Sequence, residues 1–289
     1  MGILNETYQL ANGISIPRLG LGTWLMDDAE AKGAVIDAVK CGYRMIDTAQ
    51  AYGNETGVGE GIRACGVPRE QLFVASKVAA EHKTYEAAKA SIDETLEKMG
   101  LSYLDQMIIH SPQPWVEVNQ SENRYEQGNL EAWRALEEAR AAGKVRVIGV
   151  SNFNEHDLAN IIDNASEKPQ VNQVLAHISN TPLGLISHCK EQGILVEAYS
   201  PIAHGMVINN PQVAEVAKHY GVNPAQLCVR YCLQLGLLPL PKTANAAHMT
   251  NDADVDFEIS EQDMEALKAA EHIKDYGDSS FFPVYGGKL

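Results

Sequence analysis

Basic residues are scarce in this sequence. There are 23 lysines and arginines against 38 aspartates and glutamates, which gives a formal net charge of −15 at pH 7. A protein that binds a nucleic-acid backbone usually carries a clustered basic face, because lysine and arginine neutralise the phosphates. The sequence contains no such cluster. It therefore predicts that nucleic acid is not a partner.

Long apolar runs and paired cysteines are also missing. No stretch reaches about 18 apolar residues, the length that a membrane-spanning helix needs. The N-terminal stretch MGILNETYQLANG has no basic segment followed by an apolar run, so it does not resemble a signal peptide. No CxxC pair occurs, which is typical of reduced cytosolic thiols. We expect a soluble cytoplasmic protein without a membrane partner. Its five cysteines are Cys41, Cys65, Cys189, Cys228 and Cys232.

A repeating pattern is what the sequence does have. The chain has 289 residues, 45% of them hydrophobic, and no Pro/Gly/Ser-rich linker divides it, so we expect one domain over residues 1–289. Short apolar runs without polar alternation are typical of parallel strands that are buried on both faces. Eight such runs alternate with helix-like segments: RLGLGTW, YRMIDTA, LFVASKV, DQMIIHS, VRVIGVSN, QVNQV, ILVEAYS and LLPLPKT.

The two candidate folds are a closed barrel and a doubly wound open sheet. An open sheet that binds a dinucleotide needs GxGxxG after its first strand, but GLGTWL has Leu25 at the third glycine position. Ahead of the first run, Asn12-Gly13 lies between alternating residues and predicts a hairpin. The sequence therefore favours an α/β fold, a (β/α)8 TIM barrel with an N-terminal β-hairpin.

Polar side chains stand at or near the ends of seven of these runs. In a barrel, the carboxyl ends of all strands meet at one rim, where barrel enzymes keep their active sites. A single strand-end charge is usually only a solvated rim residue, but the joint placement of so many predicts a site. The residues are Asp47, Lys77, His110, Ser151, Asn152, Gln173, Tyr199, Ser200 and Lys242.

Three of these residues, together with Tyr52 just beyond the second run, form a candidate proton-donating set. A phenol such as Tyr52 is a weak acid at neutral pH, and a nearby ammonium lowers its pKa by favouring the phenolate. Lys77 is the candidate ammonium, and Asp47 can keep it charged. His110 could hydrogen-bond a substrate oxygen. Such a set can protonate a carbonyl oxygen whose carbon is attacked by a hydride.

The motifs around these residues resemble those of the aldo-keto reductases. The matching stretches, in order along nearly the whole chain, are GLGTW, IDTAQAYGNE, VGEGI, SKV, IIH, GKVRVIGVSNF, VNQV, EAYSP and LPLPKT. The resemblance implies an eight-stranded barrel that binds NADPH without a Rossmann fold and reduces aldehydes and ketones. It also implies that Tyr52 is the proton donor, that Lys77 and Asp47 tune it, and that His110 orients the substrate. The ending PKTANAAHM most resembles bacterial members similar to diketogluconate reductases.

The resemblance also assigns the cofactor contacts. Ser151, Asn152 and Gln173 would hold the nicotinamide carboxamide, and Tyr199 would stack on the ring. The segment after it, beginning at Ser200, would cover the pyrophosphate. The adenosine 2′-phosphate would meet Lys242, Thr243 and, in the place of an arginine common in the family, His248.

Several residues depart from the family pattern. Ser111 stands where many relatives have a pocket tryptophan, and Leu175 and Ile178 replace a glutamate and a proline. Asp252 replaces an asparagine near the adenine, and its charge would repel a phosphate close by. The family resemblance makes NADPH the expected cofactor, and these departures leave NADH as an alternative. Trp24 and Trp115 are candidates for the substrate pocket, and the loops expected to choose the substrate are residues 115–125, 204–207 and 281–289.

Two other classes of protein remain open at this stage. A metal-dependent hydrolase could use Asp47, His110 and His177, although Lys77 would compete with the cation. A non-catalytic barrel could serve as a binding or channel-associated subunit, because fold does not fix function. The expectation is an enzyme with a small carbonyl substrate and no metal, acting as a monomer.

Overall fold

A two-stranded hairpin precedes the barrel in the computed structural model, which describes residues 2–285; Met1 and residues 286–289 lie outside the described part. Strands β1 (Thr7–Gln9) and β2 (Ser15–Pro17) pair antiparallel. The loop closes where Leu10 N donates to Ile14 O at 2.9 Å, and Gly13 takes a left-handed φ of 85°. The hairpin predicted from Asn12-Gly13 is confirmed.

Eight parallel strands follow and form the predicted barrel. Each pairs with the next along the chain, from β3 to β10. Gly22 N and Pro241 O, 2.9 Å apart, join the first of these strands to the segment after the last, and a parallel bridge links Gly22 with Lys242. A Cβ on Gly22 would lie 3.2 Å from Leu240 O, so glycine suits this closure. The strands are β3 (Leu21–Gly22), β4 (Met45–Asp47), β5 (Phe73–Val78), β6 (Leu104–Ile109), β7 (Val145–Ser151), β8 (Val171–Leu175), β9 (Leu195–Tyr199) and β10 (Leu238–Leu240).

Helices connect the strands, and several of them begin at side-chain caps. The Thr84 side chain accepts from Ala87 N, and Asn223 forms a capping box ahead of a proline. None of the helices within residues 2–285 is long and apolar enough to cross a membrane. The helices are α1 (Asp28–Lys40), α2 (Glu55–Ala64), α3 (Tyr85–Met99), α4 (Glu126–Ala141), α5 (Glu155–Asn164), α6 (Leu183–Glu191), α7 (Pro211–His219), α8 (Pro224–Gln234), α9 (Ala246–Ala253) and α10 (Glu261–Lys268).

Two hydrophobic clusters position the rim. The larger one lies between the strands and the surrounding helices. The smaller one combines hairpin residues such as Leu10 and Ile16 with Met45, Phe73 and Ile108 from the strands. Ile16 and Met45 are fully buried, so the hairpin closes the end of the barrel opposite the strand carboxyl ends. Only the other end is left for a site.

Candidate active site

A cavity of about 620 Å³ opens at the carboxyl ends of the strands. It gathers nearly every side chain that the sequence placed at this rim. Lys77 does not line the cavity and lies directly behind Asp47 instead. The predicted residues that line it are Trp24, Asp47, Tyr52, His110, Trp115, Ser151, Asn152, Gln173, Tyr199, Ser200, Lys242, Thr243 and His248.

Lys77 joins the ionisable groups at the cavity floor. Its Nζ lies 2.7 Å from Asp47 Oδ2 and donates to Thr48 O at 2.8 Å. The same atom lies 3.5 Å from the hydroxyl oxygen of Tyr52. Strands β4 and β5 are neighbours, and the short 3-10 turn Gln50–Tyr52 returns the phenol towards the lysine. The structure thus brings the predicted trio together.

The pKa of Tyr52 differs from the sequence expectation. Burial, and next the carboxylate of Asp47, raise the pKa of Tyr52 well above its ordinary value. Burial and Asp47 set the net direction, and the tuning of Tyr52 by Lys77 stays a prediction. Lys77 directs its charge at Asp47, 2.7 Å away, while its contact with the phenol is longer. As a result, Tyr52 keeps its proton at neutral pH.

His110 lies beside Tyr52 as a neutral imidazole. Its ring meets the Tyr52 ring edge-on, with 5.7 Å between centroids. Burial, followed by the charge of Lys77, holds the pKa of His110 well below its ordinary value. Its buried Nδ1 has no hydrogen-bond partner within residues 2–285. A neutral imidazole can give or accept a hydrogen bond without carrying charge.

The residues expected to hold the carboxamide already bond to one another. Asn152 donates through Nδ2 to His110 O at 3.0 Å and accepts from Tyr199 Oη at 2.8 Å. Ser151 Oγ donates to Gln173 O at 2.8 Å. Asn152 has a left-handed φ of 62°, a conformation that asparagine adopts more readily than most residues. The rim after β7 is therefore held in one arrangement.

Gln173 connects the rim to a polar layer inside the barrel. Its Nε2 donates to Asp47 Oδ1 at 3.0 Å and to Glu197 Oε2 at 2.7 Å, which leaves the side-chain Oε1 for the cavity. Gln106 Nε2 donates to the same Glu197 oxygen at 3.1 Å. Sequence reasoning missed Gln106 and Glu197. The available signal was that Glu197 stands two residues before Tyr199 and so shares its face of β9.

The other end of the cavity carries the residues assigned to the 2′-phosphate. Lys242 and His248 are exposed there, and Thr243 Oγ1 lies 3.5 Å from His248 Nδ1. Asp252 lines the same end and is 3% exposed. Burial raises the pKa of Asp252 to about 7. The expected repulsion of a phosphate is thus only partly present at neutral pH.

The segment after β9 folds over the cavity in an unusual conformation. Ser200, Ala203 and His204 all have positive φ values between 47° and 53°, which few residues other than glycine adopt. Ser200 Oγ lies 3.0 Å from both His204 Nε2 and Tyr285 Oη. Burial lowers the pKa of His204 to about 4, so its ring is neutral. These bonds hold the segment against residues near the C-terminus.

Aromatic side chains form the remaining wall. Ser111 is buried and turned away, where its Oγ accepts from Gln113 N at 3.3 Å. The Trp115 ring contacts His110 instead, with 4.9 Å between centroids, and Phe282 lies 4.6 Å from Trp115. Trp24 also lines the cavity. Each of the three expected substrate loops contributes to the lining, through Trp115, His204 and Phe282 respectively. Residues 286–289 of the last loop lie outside the described residues.

The residues named for a metal site do not converge. His177 is fully buried and hydrogen-bonds Tyr276 Oη at 2.9 Å and the carbonyl of Ile178. Asp47 is held by Lys77. Across residues 2–285, no group of three or more His, Cys, Asp or Glu side chains is placed to bind a metal ion.

Known proteins resemble the chain over nearly its whole length. It is 40% identical over 268 residues to the glyoxal reductase of Bacillus subtilis (strain 168), covering 92% of this chain and 93% of the relative. It is 36% identical over 281 residues to a 9,11-endoperoxide prostaglandin H2 reductase of Trypanosoma cruzi (strain CL Brener), covering 95% of each.

Solved structures agree with these relatives. An aldo/keto reductase from Brucella melitensis superposes with a TM-score of 0.84 at 33% identity and covers 91% of this chain and 98% of its own. A Bombyx mori aldo-keto reductase in complex with NADP reaches 0.85 at 31% identity and covers 98% of both chains. The model of the Aldo/keto reductase family matches residues 18–272. With that match, the barrel and these relatives together, the chain belongs to the aldo/keto reductase family.

Proposed function

We propose that the protein is a carbonyl reductase that transfers a hydride from NADPH to an aldehyde or ketone, with Tyr52 as the general acid. One observation carries the proposal: the hydroxyl of Tyr52 lies 3.5 Å from a buried lysine at the floor of the cavity, beside a neutral histidine. A carbonyl oxygen that gains negative charge during hydride attack needs such a donor.

The proton moves from Tyr52 to the substrate oxygen. Because burial raises the pKa of Tyr52, the donor is protonated at neutral pH before the reaction starts. The phenolate left behind lies next to the ammonium of Lys77, which stabilises it by charge attraction. Asp47 keeps Lys77 charged and in place through the 2.7 Å contact. Tyr52 therefore supplies one proton, and the Lys77–Asp47 pair stabilises the phenolate charge that remains.

His110 orients the substrate. Its ring lies within edge contact of both Tyr52 and Trp115, so an oxygen placed near the phenol also lies near the imidazole. Since the ring is neutral, it adds direction without a second charge. We assign it the role of fixing the carbonyl oxygen towards Tyr52.

The polar groups along the cavity fit a nicotinamide dinucleotide. At the end near Tyr52, the side-chain Oε1 of Gln173 is the free group that a carboxamide could meet, with Ser151 and Asn152 beside it. The other end is lined by Lys242. When bound, the cofactor supplies the hydride. A Bombyx mori relative with the same fold is known in complex with NADP, which supports this fit.

NADPH is the cofactor that we favour, with NADH as a weaker alternative. Among the residues that line the cavity, Lys242 supplies the fixed positive charge, and it lies at the end where a 2′-phosphate would lie. Thr243 offers a hydroxyl, and His248 can add charge when it is protonated. Asp252 opposes a phosphate less than an ordinary carboxylate would, because burial raises its pKa to about 7.

A small carbonyl compound is the substrate class that the wall supports. Trp24, Trp115 and Phe282 give the reacting end an apolar lining. A Bacillus subtilis relative is named glyoxal reductase, so dicarbonyls belong in any test. We further infer a single domain over residues 1–289 that acts as a monomer, and a cytoplasmic location, which the five free cysteines favour.

The test is NADPH oxidation, followed by absorbance, with a panel of aldehydes, ketoses and dicarbonyls that includes glyoxal. We expect turnover with at least one compound, and with NADH a lower kcat/KM. If NADPH binds but no carbonyl is reduced, the barrel is a non-catalytic binding subunit and the proposal is wrong.

A further inference from the structure

Glu197 is a buried carboxyl group that the proposed reaction does not use. It lies on β9 inside the barrel and is fully buried. Its Oε2 accepts two hydrogen bonds, from Gln173 Nε2 at 2.7 Å and from Gln106 Nε2 at 3.1 Å. Gln173 in turn donates to Asp47, so a single side chain separates Glu197 from the ion pair of Lys77.

Two acceptor atoms in this layer lack donors. Within residues 2–285, neither Glu197 Oε1 nor Gln106 Oε1 has a hydrogen-bond partner, and both atoms are buried. An unpaired buried acceptor destabilises the folded state, because it has lost its hydrogen bonds to water. Glu197 and Gln106 already share one amide-to-carboxyl bond. A carboxylic acid and a primary amide can close a ring of two hydrogen bonds, in which the acid O–H donates to the amide oxygen.

We propose that Glu197 is held as a neutral acid whose Oε1 proton is donated to Gln106 Oε1, and that it thereby acts as a positioning residue for Gln173 and the Asp47–Lys77 pair. One proton removes both unpaired acceptors, because Oε1 becomes the donor that Gln106 lacks. It also leaves the barrel interior with one carboxylate and one ammonium.

The surrounding charges agree with this protonation state. Asp47 and Lys77 are the charged groups that face Glu197 from β4 and β5, while Gln173 and Gln106 face it from β8 and β6. Burial, and next the charge of Asp47, raise the pKa of Glu197 to about 7. The hydrogen bonds from the two glutamines and the charge of Lys77 oppose that rise without cancelling it.

The role in the reaction rests on the proposed function. If Glu197 ionises, its negative charge offsets part of the positive potential that Lys77 produces at Tyr52. The same charge attracts the side-chain amide of Gln173. The phenolate that forms when Tyr52 gives up its proton then becomes less favourable. Carbonyl reduction should therefore slow as Glu197 loses its proton.

The first test does not depend on activity. Glu197→Gln keeps the shape and supplies the same donor and acceptor as the neutral acid, so it should fold and lose the infrared carbonyl band of a buried carboxylic acid. The raised pKa means that Glu197 contributes a loss of stability as pH rises from about 4.5 to about 7, and the variant lacks this contribution. The Tm advantage of Glu197→Gln should grow by about 5 °C or more between pH 5 and pH 8.

A second variant separates the pairing from the protonation. Gln106→Leu removes the partner amide, so the acid band of Glu197 should shift in frequency. An acid band that Gln106→Leu leaves in place would show that Glu197 is not paired with Gln106. The proposal is overturned if Glu197→Gln loses no acid band and its Tm difference from wild type stays constant across pH. That outcome would show that Glu197 is ionised.

The catalytic consequence is measured at saturating cofactor and substrate. The ratio of kcat for Glu197→Gln to kcat for wild type should rise roughly tenfold from pH 6 to pH 8.5, with KM for the carbonyl little changed. Asp157→Asn is the matched control, because Asp157 is also buried but pairs with Arg124 and does not line the cavity. Its ratio should stay flat. A flat ratio for Glu197→Gln would remove the positioning role, and absence of all reduction in wild type would instead contradict the proposed function.

Discussion

The ammonium of Lys77 lies 2.7 Å from Asp47 Oδ2, and the two side chains are only 1% and 4% exposed. A buried pair of this kind is costly to break, because removal of one partner leaves the other charge without compensation. It also means that Lys77 is held in place by more than its contact with Tyr52, which is longer at 3.5 Å. The proposed proton donor therefore sits at the edge of a rigid pair.

The first prediction concerns Tyr52. Tyr52→Phe removes the hydroxyl and keeps the ring, so carbonyl reduction should fall by about 10² or more, the usual scale for loss of general acid catalysis. Cofactor affinity, measured by fluorescence titration, should stay within about twofold of wild type. Tyr220→Phe, far from the cavity, is the control. Near-normal turnover in Tyr52→Phe would exclude this residue as the acid.

The second prediction compares the two members of the ion pair. Lys77→Met should abolish most activity, since the phenolate loses its stabilising charge. Asp47→Asn should reduce activity less, because Lys77 keeps its bond to Thr48 O at 2.8 Å. Both variants should also lose stability, by about 3–5 kcal/mol for a broken buried pair. Steady-state rates and denaturant unfolding measure the two effects.

A surface pair gives the control for this comparison. Lys89→Met breaks the exposed contact between Lys89 and Glu138 and should change neither rate nor stability. Circular dichroism must show that the Lys77 and Asp47 variants are folded. If activity disappears only where the protein unfolds, the pair has a structural role and no catalytic one.

The third prediction concerns pH and cofactor choice. As pH falls from about 8 to about 6, Asp252, with its pKa raised to about 7, loses negative charge near the 2′-phosphate. This change favours NADPH, so its affinity relative to NADH should rise. The phosphate itself begins to gain a proton near pH 6, which acts in the opposite direction.

Two variants resolve the contributions. Asp252→Asn should raise the NADPH-to-NADH affinity ratio at pH 8 by about fivefold, because an opposing charge is gone. His248→Arg should strengthen NADPH binding at pH 8, because arginine carries a constant positive charge. Dissociation constants from cofactor fluorescence give the ratios. A pH profile that Asp252→Asn leaves unchanged, together with NADPH binding that His248→Arg leaves unchanged, would show that these residues do not face the phosphate.

The fourth prediction concerns metals. If Tyr52 and His110 activate the carbonyl by hydrogen bonds, prolonged chelation should leave kcat unchanged, and elemental analysis should find no stoichiometric zinc. Activity that is lost on chelation and restored by a metal would revive the hydrolase or Lewis-acid alternative.

The fold was predictable because its signals are local. Strands buried on both faces give apolar runs, and helices begin at residues such as Thr84 and Asn223. Signals for α2 were weaker, because its segment ETGVGEGIRA contains three glycines. Those glycines serve tertiary packing: a Cβ on Gly57 or Gly59 would meet the backbone of Asp28 or Met99 within 2.2 Å. Close packing of this kind joins residues far apart in the sequence, so local sequence patterns do not predict it.

The site was predictable where side chains end strands, and less so elsewhere. Asp47, Lys77 and His110 were found from their positions in the apolar runs. The pKa of Tyr52 was not, because burial outweighs the neighbouring lysine and depends on every surrounding element. The contact of Trp115 with His110 depends on a loop path of several residues. Such paths are set by tertiary packing.

The hairpin before the barrel has a consequence for water. Leu10 and Ile16 pack with strand residues to close the lower end of the barrel, and Tyr8 Oη donates to Leu237 O at 3.0 Å to hold the closure. Gln173, which bonds to Glu197, lines the cavity, so within the described residues the polar interior faces solvent on that side. We therefore expect proton exchange between Glu197 and bulk solvent to become slower while a ligand occupies the cavity.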